Sequence, residues 1–247
     1  MPVARRELKY EIPAHEATVL ARRLGMLFPR DGHAGRDGRY TVRSLYFDTP
    51  FDDALREKHE GFTARAKWRL RAYGSAPLPP GGSEQRSVRL EKKVKRDGLV
   101  TKHTAWVTPA EARFLAGMRA EPASAPGETP CRGARTGAGG EDPVLAEFRR
   151  AGLGYGLVPC VVVAYEREAF TFAPGNVRIT IDAHLRSSPH PASFFEPGRL
   201  LSPYAPGTVI VEVKYDAFIP DIVRDAVRVP GAVRVAHSKY ALARRWE

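Results

Sequence analysis

The chain has 247 residues, with 39 Lys and Arg against 28 Asp and Glu, giving a formal charge of +11. Hydrophobic residues make up 43% and charged residues 27%, the balance of a globular protein rather than a disordered or fibrous one. No stretch approaches the roughly 18–20 apolar residues that span a bilayer, and the opening MPVARRELKYEI has no hydrophobic signal core, so a cytoplasmic protein is expected.

In chain order, Arg6–Ile12 alternates Glu7, Lys9 and Glu11 with Leu8, Tyr10 and Ile12, the period of a strand. Ala14–Phe28 places Ala17, Leu20, Leu24, Leu27 and Phe28 on one helical stripe behind Pro13. Tyr40–Phe47 returns to a strand pattern, and Phe62–Tyr73 sets Arg65, Lys67, Arg69 and Arg71 against Ala66, Trp68, Leu70 and Ala72. A break rich in Gly, Pro and Ser at 74–85 precedes Ser87–Lys95, in which Arg89, Glu91, Lys93 and Lys95 share a face, and then Leu99–Val107. Thr108 caps a helix over Pro109–Met118, the Gly, Pro and Ala stretch 121–142 reads as a flexible loop, and Asp142 opens a second helix over Pro143–Ala151. Strands follow over Val158–Phe172, Val177–Asp182 and Thr208–Tyr215, then short helices over Ile219–Val227 and His237–Trp246. Because strands mostly follow strands, the expectation is an α+β domain over residues 1–247 with about eight antiparallel strands.

Cys131 and Cys160 form no CxxC pair, and the seven histidines form no HExxH pattern. A disulfide scaffold and a structural zinc site are therefore excluded, and a histidine-bound metal is disfavoured. Four cations in a row on one strand face lie about 6–7 Å apart, so neighbouring carboxylates or a bound anion must offset their repulsion. Five strands repeat this habit, mixing Arg and Lys with Glu and Asp. Two readings stay open: an antiparallel sheet with one solvated face, or a nearly closed barrel whose polar interior admits a linear polyanion with a divalent cation. Nucleic acid is disfavoured as a partner, because the cations alternate with core residues and share their face with carboxylates.

The ELKY of Glu7–Tyr10, SLYFDT of Ser44–Thr49, KWRLR of Lys67–Arg71, LEKK of Leu90–Lys93, YEREAF of Tyr165–Phe170, RITID of Arg178–Asp182, VEVKY of Val211–Tyr215 and HSKY of His237–Tyr240 occur in a telling order. Together they resemble the VTC domains, the polyphosphate polymerase domains of the triphosphate tunnel metalloenzyme (CYTH-like) superfamily. The resemblance implies an antiparallel β-barrel, or triphosphate tunnel, with flanking helices. It also implies transfer of the γ-phosphoryl group of ATP to inorganic polyphosphate with Mn²⁺ or Mg²⁺. Carried over motif by motif, it assigns catalysis to Lys67, Arg69, Arg71, Glu212 and Lys214. Phosphate and ATP binding fall to Lys9, Arg43, Lys93, Lys102, Arg167, Arg178, Ser238 and Lys239, and metal binding to Glu212, Glu7 and Glu91.

One departure matters. Many hydrolytic members of that superfamily open with ExExK, whereas this chain has one glutamate, Glu7, ahead of Lys9. That favours a polymerase over a triphosphate or tripolyphosphate hydrolase of the same fold. A non-catalytic polyphosphate-binding subunit is the third reading. Nothing resembles the SPX or transmembrane segments of eukaryotic VTC subunits, so control by inositol phosphates and export through a membrane are not assumed, no membrane segment is expected in this chain, and a membrane-bound partner stays open.

Overall fold

Eight long strands and two of two residues each form one antiparallel sheet in the computed structural model, which describes residues 5–32, 34–35, 37–74, 78, 88–117, 142–196, 198, 202–203, 207–236 and 238–244. The strands are β1 (Arg6–Pro13), β2 (Arg39–Asp48), β3 (Arg65–Tyr73), β4 (Val88–Arg96), β5 (Leu99–Val107), β6 (Val158–Phe172), β7 (Val177–Ser188), β8 (Ser202–Pro203), β9 (Thr208–Tyr215) and β10 (Val233–Arg234). Their order is β10-β1-β9-β7-β6-β2-β3-β4-β5, with β8 beside β7. Two 3.1 Å backbone hydrogen bonds between Arg5 and Val100 tie the start of β1 to β5. The ladder is therefore not continuous, but the sheet curls round an interior, as expected of a tunnel. Apart from Gly74, Leu78 and Asp142, the expected loops at 74–85 and 121–142 lie outside the described residues, as do Cys131 and His237.

Local chemistry sets the turns and helix ends. The β4–β5 hairpin turns at Asp97 and Gly98, both at positive φ (50° and 82°), the conformation for which Asp-Gly is favoured in two-residue hairpins. The helices are α1 (Ala14–Leu27), α2 (Asp53–His59), α3 (Pro109–Leu115), α4 (Pro143–Tyr155), α5 (Asp221–Ala226) and α6 (Lys239–Ala243). A reciprocal Thr108–Glu111 capping box with Pro109 behind it starts α3, and Asp142 caps α4 through the Val144 N–H. No described helix is long and apolar enough to cross a membrane.

Three apolar clusters fix what faces inward. Leu45, Trp68, Leu70 and Leu90 turn outward from β2, β3 and β4 and pack beneath Ala112 of α3 and Phe148 of α4. Ile179, Val211 and Val213 do the same from β7 and β9 beneath Leu20 and Leu24 of α1. Leu27, expected on that helical stripe, is 46% exposed, and Ala21 is buried in its place. The third cluster lies inside the sheet: Tyr240, Leu242 and Ala243 of α6 pack on Val42, Val163, Tyr165 and Ile210. One wall of the interior is thus apolar and plugged by a helix, and the charged residues line what remains.

The plug is held by Asp48, a fully buried carboxylate at the end of β2. It accepts hydrogen bonds from the Thr49, Ala54 and Leu55 N–H groups, so a strand residue satisfies the amino end of α2. The Tyr240 hydroxyl donates to the same carboxylate. Replacing Tyr240 by Phe removes that donor without changing the ring, and a bond to a charged partner is worth about 1.5–3 kcal/mol. Urea unfolding of Y240F should show a loss of that order; a loss below about 0.5 kcal/mol would separate α6 packing from Asp48.

Candidate functional site

The interior is built from cross-strand pairs. On β1 and β9 the register sets Lys9 against Glu212 and Glu7 against Lys214, a square of alternating charge. Lys9 Nζ lies 3.1 Å from Glu212 Oε1, and Lys214 Nζ lies 3.2 Å from Glu212 Oε2 and 3.7 Å from Glu7 Oε1. Lys93 of β4 closes the tunnel side to side, with Nζ 2.9 Å from Glu7 Oε2. Next to the square, Arg167 of β6 grips Asp182 of β7 through two hydrogen bonds of 2.6 and 2.7 Å, and Lys239 Nζ approaches the same carboxylate at 2.6 Å. Across the lumen, Arg69 binds buried Glu91 at 2.6 Å, and Lys102 binds it at 3.1 Å. Arg71 reaches the Ser44 and Tyr165 hydroxyls at 3.2 Å each.

These pairs line two adjoining cavities. A central space of about 80 Å³ is lined by eight cations: Lys9, Lys67, Arg69, Arg71, Lys93, Arg167, Lys214 and Lys239, with Glu212, Tyr46, Tyr165 and Ser238. It shares Lys9, Lys67, Lys93 and Ser238 with an outer vestibule of about 450 Å³, where Lys58, Arg65, Lys95 and Arg234 join Glu7. Several cations face one another directly. Lys67 lies opposite Lys93, Lys93 opposite Lys102, and Arg65 opposite Lys95, an arrangement that destabilises a sheet unless an anion intervenes.

Burial and pairing pull the ionisations apart. Burial alone would raise the Glu212 carboxyl, but Lys9, Lys214 and Lys239 outweigh it and hold the group well below the usual carboxylate range. Lys93 and Lys214 likewise bring Glu7 down to about 2 against its burial. Arg69, Arg71 and Lys102 keep Glu91 ionised against its own burial. Lys67 goes the other way. Burial, then Arg65 and Lys58, push it down to about 7, and its ammonium meets the Ser238 hydroxyl at 3.2 Å and the Tyr240 ring face at 4.6 Å. Lys93 is also lowered to about 7, by burial and by Lys9 and Lys214, despite Glu7.

Most residues singled out from the sequence converge here, but four stand apart. Arg43 does not enter the tunnel. It shares the outward face of β2 with Leu45 and Phe47, is 1% exposed, and donates to the Phe194 carbonyl at 2.9 Å. Arg178 shares the inward face with Thr180 and Asp182, but its guanidinium turns to Asp31 and the Tyr40 hydroxyl and does not line the central cavity. Lys102 sits at the rim, and Glu91 lies behind Arg69, outside both cavity linings. Asp182, Tyr46, Tyr165 and the vestibule cations were not picked out. Strand parity already marked Arg65, Lys95 and Asp182, whereas nothing in the sequence distinguished Lys58 or Arg234.

The hard oxygen donors fit a divalent cation in one mode. Among the described residues no group of three or more His, Cys, Asp or Glu converges. Glu7 and Glu212, however, both face the lumen around Lys9 and Lys214. Two such carboxylates with phosphate oxygens supplied by a ligand form the usual magnesium environment.

Lys67 and Lys93 have folded-state values below their ordinary 10.5. Their protonation therefore costs stability, and the ligand-free protein should gain stability as pH rises from about 7 toward 10.5. A polyanion restores the protonated forms. Tripolyphosphate binding at pH 8 should therefore take up protons, read as a calorimetric enthalpy that changes with buffer ionisation enthalpy, and Lys67→Met should reduce the uptake. Binding with no proton uptake would contradict the assignment.

A model of the VTC domain family matches residues 4–245. No curated protein matches the chain. Among solved structures, the chain is similar to HpAC1 from Hippeastrum, described as revealing a dominant triphosphatase activity, with a TM-score of 0.49 and 13% identity over 97% of this chain and 95% of that one. It is also similar to the bh2851 protein from Bacillus halodurans, with a TM-score of 0.47 and 13% identity over 91% and 86% of the two chains. The match of nearly the whole chain to the family model, on a sheet curled round the expected inward residues, makes this protein a member of the VTC domain family.

Proposed function

We propose that the protein is a polyphosphate polymerase that transfers the γ-phosphoryl group of ATP to a growing polyphosphate chain, with ADP as the other product. The observation that carries this reading is the lumen itself, where eight cations line a narrow cavity that widens into a second basic chamber. Phosphoryl transfer proceeds through a loose transition state with charge spread over its oxygens, so alignment and neutralisation supply most of the catalysis.

The roles follow from placement. Arg69 and Arg71 offer planar forks for two-point phosphate contacts, held in position by Glu91 and by the Tyr46, Ser44 and Tyr165 hydroxyls. Lys67 and Lys214 act as compact charges on the transferring group, with Lys9, Lys93, Arg167, Ser238 and Lys239 around the chain. Glu212 with Glu7 would hold Mn²⁺ or Mg²⁺. Such an ion supplies charge neutralisation at phosphate oxygens. Glu91 is spoken for by its cations and is left out of this set, and Arg43 serves the outer core.

Polymerase is favoured over hydrolase by the start of β1. The position two residues before Glu7 holds Arg5, whose guanidinium pairs with Asp216 at 3.1 Å and whose backbone bridges to Val100. One fewer carboxylate is available to orient and activate water.

Purified protein with ATP and Mn²⁺ should accumulate polymer and ADP. Orthophosphate as the sole phosphate product would establish hydrolysis instead, and binding without turnover would establish a binding subunit. Glu212→Gln should reduce metal-dependent turnover by at least about tenfold while retaining tripolyphosphate binding; unchanged turnover would remove Glu212 from the metal site.

A further inference from the structure

At the strand ends away from the vestibule, aromatic rings flank an arginine. Tyr73 ends β3, and Arg89 and Trp106 lie directly opposite each other on β4 and β5. All three face the lumen side, because their neighbours Ala72, Val88, Leu90, Ala105 and Val107 belong to the outer core. The Arg89 guanidinium carbon sits 4.8 Å from the Tyr73 ring centre and 4.5 Å from that of Trp106, and its NH1 meets the Tyr73 hydroxyl at 3.4 Å. Among the described residues no carboxylate pairs with Arg89, and its buried Nε has no hydrogen-bond partner. The guanidinium is thus oriented by the two rings. Trp106 nevertheless remains 50% exposed and Tyr73 37%. The half-exposed Trp106 offers a flat apolar ring surface, its single N–H donor lying at the ring edge.

Arg71 lies opposite Arg89, which lies opposite Trp106. Two strand spacings, about 10 Å, therefore separate a phosphate-gripping arginine from the indole, comparable to the reach from the phosphates of a nucleotide to its base. We infer that the Tyr73–Arg89–Trp106 stack is a nucleobase subsite, in which the base of a nucleoside triphosphate lies on Trp106 while its phosphates enter past Arg89 and Arg71. This rests on the proposed use of the lumen for phosphate chains. It adds that a nucleotide and an inorganic chain are told apart at these strand ends and not among the cations. Stacking tolerates any base, so discrimination between adenine and guanine is not expected from these three residues.

Calorimetric titration of wild type, Trp106→Ala and Trp106→Phe with ATP and with inorganic tripolyphosphate tests the inference. Base stacking on an aromatic ring is typically lost at a cost of at least about fivefold in affinity. W106A should weaken ATP binding by that factor or more and leave tripolyphosphate within about twofold, with W106F intermediate for ATP. Equal loss for both ligands, or no loss for ATP, would overturn the subsite while leaving the phosphate lumen standing. Failure of wild type to bind tripolyphosphate would overturn both. In addition, ATP should quench the indole fluorescence that W106F lacks, and tripolyphosphate should not.

Discussion

Burying cations of one sign inside a sheet is the constraint on which everything else in this protein rests. Each buried charge would cost several kcal/mol unless paired, and the chain answers with pairings of two kinds. Where carboxylates are available, they are shared: Glu212 serves Lys9 and Lys214, Glu91 serves Arg69 and Lys102, and Asp182 serves Arg167 and Lys239. Lys67 is different: it meets the Ser238 hydroxyl and the Tyr240 ring while facing Lys93, whose own carboxylate partner is Glu7, so the protein tolerates an unstable arrangement there. That residue of uncompensated charge lies where the two cavities meet, and it is the strongest physical indication of an anionic ligand.

The outer architecture follows from the same constraint. A strand that turns its charges inward must turn its apolar side chains outward, so β2 to β5 need α3 and α4 as cover, and β7 and β9 need α1 and α5. The interior would otherwise be wide and wet. α6 fills the apolar wall and carries Lys239 to Asp182 on its first turn, while Asp48 couples the helix to α2 and hence to Lys58 of the vestibule. Folding the last described helix into the lumen thus completes the charged site and the packing together.

Much of this was legible from parity. On Phe62–Tyr73 and Thr208–Tyr215 one face is almost wholly apolar, so the inward set could be named residue by residue, and Lys67, Arg69, Arg71, Glu212 and Lys214 do line or border the cavity. Arg43 shows the limit. Around it, Val42, Ser44 and Tyr46 alternate with Arg43, Leu45 and Phe47, two mixed faces that alternation cannot rank, and the motif resemblance placed the arginine on the wrong one. The α2 helix was hidden because none of its residues is buried and its amino end is satisfied from a strand. The apolar plug was hidden because Tyr240 and Leu242 meet partners far away in sequence. Pairings of Glu91 and Asp182 with their cations depend on register across strands, which composition does not contain.

The central claim is that the formal surplus of +11 is in large part the counter-charge of a phosphate chain held inside the sheet. Thermal unfolding of the ligand-free protein against millimolar tripolyphosphate tests it most directly, with sodium sulfate at matched ionic strength as the control. A ligand bound only by the folded state raises the melting temperature by mass action. The account predicts a rise of several degrees with tripolyphosphate, well beyond the sulfate control. Equal melting temperatures in the two anions would contradict it and return the charge to an ordinary basic surface.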